Sequence, residues 1–561
     1  MSISCTSCNN SFLVTAEDIA LLEKIRLSLT GGVAKIPPPT LCPACRQLRR
    51  VIFRNDQNYY RNSCNSCKKQ LISIYSPDKG IPVLCEECYW GDRWDPLSFG
   101  VSYEPGHSFF EQFANMKAKV PRLAIFNTQS ENSKYTVHSS KNKDCYMCSS
   151  TLNCEGVHYS DFIQECRDSH DLFSCKSMEL CYECTYSNNC FSCDFLEHSQ
   201  ELSDSYLCFD CRSGNLLVGC AGTRRESIKI LNQSSTAAEC KKTIERLKRD
   251  SNFRKEFLKS YSVLKASVAR PAVWRLGCEN ALGDNLLRSR NIRDSFNIKD
   301  CEDLAYAYEG FTTKDSMDMM RVGSGELLYE CAAIVSLKFS AFCNLCYDSS
   351  YLLYCDNCQN NTRNCFGCMS LKQNEFCILN VQYSQDEYYE LLNQIIEDMK
   401  RSKEFGEFFP TSLSPFGYNE SKASEWFPRS KEEVVKRGWQ WSDFDPPTTE
   451  GLKIISNKEL PELIEDVSDD ILNCAIRCEV SGKPFRVIAP DLKFYRGRGV
   501  SIPKLCAKER QKARIQAENP RVLIERSCEE CHSPVQTTYP VNRPEKLLCD
   551  RCYELSRYSA A

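Results

Sequence analysis

DCYMC, Asp144 to Cys148, is the first of a series of cysteine and aromatic fragments, joined by LCYEC, NCFSC, DSSYLLYC and NCFGC, that fill residues 130 to 380. Cys145, Cys154, Ile163, Leu172, Cys181, Cys190, Cys208 and Leu217 fall on a nine-residue lattice, with Ser199 its one polar member. Asn, Asp, Ser and Gly sit between the fragments, so no amphipathic helix fits. Short strands at a small fixed period are what a parallel β-solenoid requires, because each coil buries one residue against its counterparts above and below. A string of small zinc ribbons is the rival arrangement.

Outward from this stretch, GCAGTRRESIKILN (219–232) aligns without gaps on GCMSLKQNEFCILN (367–380), 148 residues later. Helical stretches follow both, Ala237 to Leu264 and Gln385 to Met399, so the middle reads as two arrays, each closed by a helix. Three uses stand open for its 23 cysteines between Cys145 and Cys377. They are packing as small buried thiols, further zinc sites among seven CxxC pairs (145/148, 181/184, 190/193, 208/211, 343/346, 355/358 and 365/368), or redox chemistry.

The ends carry a different pattern. Cys5 and Cys8, Cys42 and Cys45, Cys64 and Cys67, Cys85 and Cys88 are four CxxC pairs within 88 residues. Two intervening residues let both thiolates turn onto one ion at about 2.3 Å, and two such pairs complete a tetrahedron. An all-thiolate tetrahedron has no open position, so its role is folding rather than catalysis. Cys64, Cys67, Cys85 and Cys88 recur as Cys528, Cys531, Cys549 and Cys552, at a constant offset of 464. The same offset carries Arg46, Arg50, Asn55, Tyr75 and Tyr89 onto Arg510, Arg514, Asn519, Tyr539 and Tyr553, an internal duplication.

In the second copy Cys42 recurs as Cys506 but Cys45 as Glu509, and, anchored on Phe12 and Phe485, Cys5 recurs as Cys478 but Cys8 as Ser481. One site is damaged while the other keeps all four ligands, which favours sequential pairing of 5/8 with 42/45 and 64/67 with 85/88. The damaged site has Cys474, Cys478, Cys506 and Glu509 left as candidate ligands. A carboxylate suits a thiolate set poorly, so loss of this metal is expected. The expected cofactor is Zn2+, about three structural ions.

Composition bounds the rest. A chain of 561 residues predicts three or four domains at roughly 150 residues each. Hydrophobic residues make up 42% and charged ones 26%, a globular balance. The formal charge of −3 excludes a wholesale polyanion coat and leaves only local patches. With 38 cysteines, six histidines and neither a secretory start nor an apolar run of membrane length, the expectation is a reduced, cytoplasmic protein without a membrane span.

Several longer motifs stand out: LCPACRQLRRVIFRN, WGDRWDPLSFG, FFEQFANMKAKVPRL, FGCMSLKQNEFCILN with QYSQDEYYELL, and FFPTSLSPFGYNE. Together they resemble a family of CxxC-rich multi-zinc-ribbon proteins seen chiefly in the reduced genomes of candidate-phyla bacteria. The resemblance spans nearly the whole chain and implies an intracellular zinc-binding protein; it supplies no activity. Some members carry a CaiB/BaiF (CoA-transferase) label, but that class is a cysteine-poor α/β fold with a catalytic Asp, whose pattern falls on no stretch here. The basic segment from Glu239 to Arg275 departs most from the family.

The expected fold is mixed, β-rich α+β. Duplicated treble-clef or zinc-ribbon-like end domains flank a duplicated Cys-rich β-solenoid-like middle with helical inserts. Its segments are a double zinc domain (1–125), a first array (126–236), a basic helical insert (237–290), a second array with closing helix (291–400), an aromatic, Pro-rich strap (401–470) and a C-terminal zinc domain (471–561). SFFEQFANMKAKVPRL reads as an amphipathic helix stopped by Pro121.

Function is read from one cluster. Arg46, Arg49, Arg50, Arg54 and Arg61 interleave with Phe53, Tyr59 and Tyr60 around a single acid, Asp56. Arginine forks pair with phosphate and aromatics stack on bases, so RNA or single-stranded DNA is the expected partner, with Arg510 and Arg514 as the second copy's contacts. The competing role for these arginines is pairing with the protein's own acids. Arg46 and Arg50 persist as Arg510 and Arg514 where the metal pair is broken, so they serve more than the zinc. A protein-protein scaffold is the alternative function, and a solenoid-based enzyme of unidentified substrate the second alternative. No GxGxxG, GxxxxGK[ST], HExxH or GxSxG motif occurs, so a non-enzyme is expected. Self-association is left open.

Overall fold

The computed structural model describes residues 1–558 except 30–33, 322, 324, 333–334, 446–448 and 450. The chain is mixed α and β and sheet-rich, and it divides into two compact units, each assembled from two stretches. Unit 1 joins Met1–Phe126 to Trp274–Phe444, and unit 2 joins Asn127–Val273 to Asp445–Ala561. Each unit therefore combines one end module with one parallel ladder. In unit 1 the N-terminal module accompanies the second ladder; in unit 2 the C-terminal module accompanies the first.

The ladders have an unusual backbone. Gln164 pairs with Lys176, Lys176 with Asn188, Asn188 with Gln200 and Gln200 with Arg212, always in parallel and always twelve residues on. Along each row every third residue takes the left-handed conformation, bulky ones included: Phe162 at φ +57°, Phe195 at +59° and Leu207 at +59°. Such a residue costs about 1 kcal/mol or more when isolated, so the regularity needs a compensating bond. It has one, because the left-handed Asp171 donates its N–H to His158 O at 3.0 Å, in the row before, and Phe173 donates to Cys184 O at 3.0 Å, in the row after.

The third residue of each triplet, between these two, points inward, and its N–H is met from inside. Leu172 N donates to Ser160 Oγ at 3.0 Å and Cys181 N to Ser169 Oγ at 2.9 Å. Where the inner residue is cysteine, its thiol donates to the carbonyl two residues back, as Cys181 does to Glu179 O at 3.2 Å and Cys193 to Phe191 O at 3.3 Å. Serine and cysteine are thus both small enough and polar enough for the inner position, and Cys145, Cys148, Cys154, Ile163, Cys166 and Leu172 lie in one buried core. The nine-residue lattice expected from the sequence is three steps of this three-residue period, and the true row is twelve. Ser199 is an inner residue like its neighbours, accepting from Cys211 N at 3.2 Å.

The second ladder opens with steps of eleven, Arg275 on Leu286 and Glu279 on Arg290, and follows the twelve-residue rule from Gly283 onward, with one extra residue later. Ser350 pairs with Arg363 and Leu352 with Cys365, a step of thirteen. The surplus sits at Asn360 and Asn361, both left-handed. It accounts for the 148-residue offset between the arrays' ends, whereas equivalent positions before it stand 147 apart.

Each end module is a hairpin followed by a helix. Tyr60–Ser63 pairs antiparallel with Gln70–Ser73, and Ile524–Ser527 with Pro534–Thr537. The chain leading into each ladder adds a short parallel strand to a module: Arg122–Leu123 beside Val83–Leu84 in unit 1, and Arg270–Pro271 beside Leu547–Leu548 in unit 2. The insert forms two helices, Ala237–Arg249 and Ser251–Ser267, split at Asp250, whose carboxylate caps Phe253 N at 2.9 Å. Phe109–Lys117 forms the expected helix, capped by Ser108, and Phe109 and Phe113 pack with Phe342, Tyr354, Phe366 and Phe409 in the unit 1 core. Pro446 and Pro447 of the expected strap lie outside the described residues.

Candidate metal centres and the arginines beside them

The hairpins and helix starts bring the end-module cysteines together in fours. The sulfurs of Cys5, Cys8, Cys42 and Cys45 lie within 4.8 Å of one another, as do those of Cys64, Cys67, Cys85 and Cys88 and those of Cys528, Cys531, Cys549 and Cys552. The first pair of each group flanks a hairpin turn and the second opens a helix, so Cys42 and Cys85 stand at helix N-caps. Cys8 and Cys42 sulfurs are 3.8 Å apart, Cys67 and Cys85 3.8 Å, and Cys531 and Cys549 3.7 Å. Thiolates bound at about 2.3 Å in a tetrahedron stand about 3.8 Å apart, so each group could hold a metal ion.

Backbone N–H groups serve the sulfurs as well. Cys42 N points at Cys5 Sγ at 3.3 Å, Cys85 N at Cys64 Sγ at 3.4 Å and Cys549 N at Cys528 Sγ at 3.2 Å. The hydrogen bond from Cys45 draws Cys42 down to about 5. Against burial, which would raise it, the backbone groups of Cys85, Cys67 and Ser66 bring Cys64 down to about 6. The neighbouring thiols move the other way, Cys45 pushed up by its bond to Cys42 and Cys85 pushed up to about 12 by burial, so each group shares its charge unevenly.

The degenerate module keeps the scaffold of a knuckle. Cys506 N still points at Cys478 Sγ at 3.3 Å, and Ser481 Oγ stands 3.9 Å from Cys506 Sγ in the place of the lost thiol. Cys474, expected as a ligand, lies on the strand Cys474–Arg477 and packs against the apolar cluster of Ile476 and Val487. Among the described residues, Cys474, Cys478, Cys506 and Glu509 form no metal-holding group.

The arginines expected to reach a nucleic acid are inside. Arg46 Nε meets Asp318 Oδ2 at 2.5 Å, its other arm donates to Leu41 O at 2.6 Å, and Arg50 meets Asp318 Oδ1 at 3.3 Å. Arg49 bridges Glu330 at 2.7 Å and Glu407 at 2.8 Å. Arg54 pairs with Asp56 at 2.8 Å, an acid that also receives Arg321 and Lys422. Tyr60 is buried, its hydroxyl donating to Glu420 Oε1 at 2.7 Å, and Tyr59 OH bonds Asp56 O at 3.4 Å. Arg61 alone of this cluster is exposed.

Unit 2 repeats the clamp with one exchange: Glu183, the counterpart of Glu330, is met by Arg514, because Arg49's counterpart is Ala513. Arg510 Nε meets Asp171 Oδ1 at 2.9 Å and donates to Leu505 O at 2.8 Å, while Arg514 meets Asp171 at 3.1 Å and Glu183 at 3.0 Å. Asp171 and Asp318 occupy equivalent ladder positions, 147 residues apart. A second equivalent pair follows: Tyr89 bonds Asn357 at 3.1 Å, and Tyr553 donates to Asp210. Buried guanidinium groups require such acids, and helices Pro43–Val51 and Ala507–Gln516 carry the arginines on the face that meets the ladder.

One constellation lay outside the motif search. His158, His170 and Asp491, all buried, bring three ligand atoms within 4.8 Å of one another in unit 2. The histidines are twelve residues apart, one ladder row, a spacing that becomes a signal once the row length is known. Among the described residues no helix is long and apolar enough to cross a membrane. No protein-family model and no curated protein sequence matches this chain.

Proposed function

We propose that the protein is a non-enzymatic, zinc-stabilised scaffold of the multi-zinc-ribbon family it resembles. Its three four-cysteine groups carry structural Zn2+, and its two ladders are β-solenoids whose outer faces receive a protein partner. The observation that carries this reading is the pair of clamps: the helices opened by Cys42 and Cys506 direct their arginines into the ladders, at Asp318 and Asp171. In unit 1 the metal group of Cys42 thereby fixes the helix that fixes the ladder, while in unit 2 the same clamp stands on the knuckle that has lost its ligands. The solenoid reading rests on the constant twelve-residue register and the single buried inner phase. Zinc is the ion that suits four thiolates in a closed tetrahedron, and closure favours structure over catalysis. A reducing, cytoplasmic setting accords with 38 free cysteines.

Nucleic-acid binding is the competing reading, and the burial of Arg46, Arg50, Arg54, Arg510 and Arg514, with the ion pairs of the half-buried Arg49, counts against it. The two part in one experiment on the reduced, full-length chain. Cobalt substitution should titrate three tetrathiolate equivalents by their thiolate charge-transfer bands. RNA and single-stranded DNA should not bind at low salt, where phosphate contacts are strongest. Salt-reversible binding to either would overturn the scaffold reading.

A further inference from the structure

The two units are copies, so a position that differs between them is informative. Asp18 in unit 1 and Asp491 in unit 2 are equivalent residues at the start of equivalent helices. Each has one oxygen engaged in the same way: Asp18 Oδ2 accepts from Tyr306 OH at 3.0 Å and Thr15 N at 3.0 Å, and Asp491 Oδ2 accepts from Tyr159 OH at 2.5 Å and Ile488 N at 3.2 Å. The other oxygen faces a cation slot. In unit 1 Arg293 fills it, donating to Asp18 Oδ1 at 2.6 Å.

In unit 2 no arginine among the described residues occupies the slot. His158 Nδ1 stands 2.6 Å from Asp491 Oδ1, and His170 stacks beside His158 with ring centres 4.5 Å apart. The equivalent ladder positions in unit 1, 147 residues on, are Ala305 and Met317, which bind nothing polar. His170 is 2% exposed, and its Nδ1 is buried with no hydrogen-bond partner. Both histidines line a cavity of about 690 Å³, with Tyr146, Asp168, Lys493 and Phe494 among its other walls. A buried imidazole nitrogen without a partner, a second imidazole and a carboxylate converge where the sister copy holds a fixed positive charge.

We propose that His158, His170 and Asp491 bind a divalent transition ion of the Zn2+, Co2+ or Ni2+ class. Two imidazoles and a carboxylate are the donor set such ions take, and the ion supplies the positive charge that Arg293 supplies in unit 1. Ligand atoms on one ion at about 2.1 Å stand at most about 4.2 Å apart, so the stacked rings turn about their side-chain bonds as they close. Three protein ligands leave a coordination position toward the cavity for water or a small anion, unlike the closed thiolate sites.

The test is a metal count on the full-length, reduced protein, equilibrated with excess Zn2+ and desalted. Four ions per chain are expected, falling to three in the His158→Gln/His170→Gln variant with its cobalt thiolate bands unchanged. In a cobalt titration of the unaltered protein, the fourth equivalent should add only weak visible bands and no thiolate charge transfer. Three ions in the unaltered protein, or four in the variant, would overturn the proposal. Should the variant lose its thiolate sites as well, the titration of the unaltered chain decides: the absence of a fourth equivalent refutes the site.

Discussion

Asp318 receives Arg46 and Arg50, and Asp171 receives Arg510 and Arg514, each acid fully buried. Removing one partner of such a group strands the others' charge at a cost of about 3–5 kcal/mol. Asp318→Asn should therefore lower the unfolding free energy of unit 1, read by denaturant titration, by that much, whereas Arg61→Ala, on the surface, should change it by less than about 0.5 kcal/mol. Equal effects would contradict the clamp. The arginine pair was legible in the sequence because it outlasts the metal pair in the second copy. Its acid was not, because nothing local ties Asp318 to a residue so far upstream. The thiols add a pH dependence. Cys42 and Cys64 sit at about 5 and about 6, below the ordinary thiol value of 9.0. The folded module thus holds fewer protons than the unfolded chain across that interval, and its stability is lost as pH falls through the folded values. Zinc captured by a chromophoric chelator should rise as pH drops from 8 toward 5, as protons compete for the thiolates; full retention at pH 4 would contradict release by protonation.

At the scale of the element, one spacing serves two purposes. CxxC at a hairpin turn or helix start gathers sulfurs around an ion position; CxxC in a ladder is two successive inner residues of a three-residue period. The sequence reading found the buried phase but stretched its period, because Ser160, Ser187 and Ser199 look polar and yet point inward, each bonding the row above. Burial pushes the Cys148 and Cys193 thiols well above their ordinary range, so they are unreactive while the ladder stands. After chelation, a brief iodoacetamide pulse read by mass spectrometry should label Cys8, Cys67 and Cys531, which are exposed, and leave Cys148 and Cys193 untouched. Cys193→Ser should cost less than about 1.5 kcal/mol, since its hydroxyl would take the bonds that Ser205 makes at the same inner phase. Cys67→Ser should release one ion. Uniform labelling would erase the distinction.

For the molecule as a whole, chain order and packing order differ. A serial reading of domains from 1 to 561 places each end module beside the array nearest to it in sequence, but the compact units join the C-terminal module to the first ladder and the N-terminal module to the second. Duplication was legible from the 464 and 148 offsets; which copy packs on which was not, because both modules carry the same arginine pair and both ladders the same acid. The assignment has a direct consequence. Removing Asp445–Ala561 takes Arg510 and Arg514 from Asp171, and Tyr553 from Asp210, and it uncovers Tyr182 where Leu492 and Tyr495 pack on it. Three buried carboxylates of the first ladder, Asp171, Asp194 and Asp210, then lose partners, and none of the second ladder does among the described residues. Hydrogen exchange of the truncated chain should accelerate across 127–234, which lies far from the cut in sequence, and stay slow across 275–382, which lies nearer to it. Acceleration confined to the residues adjoining the cut would refute the pairing of the C-terminal module with the first ladder.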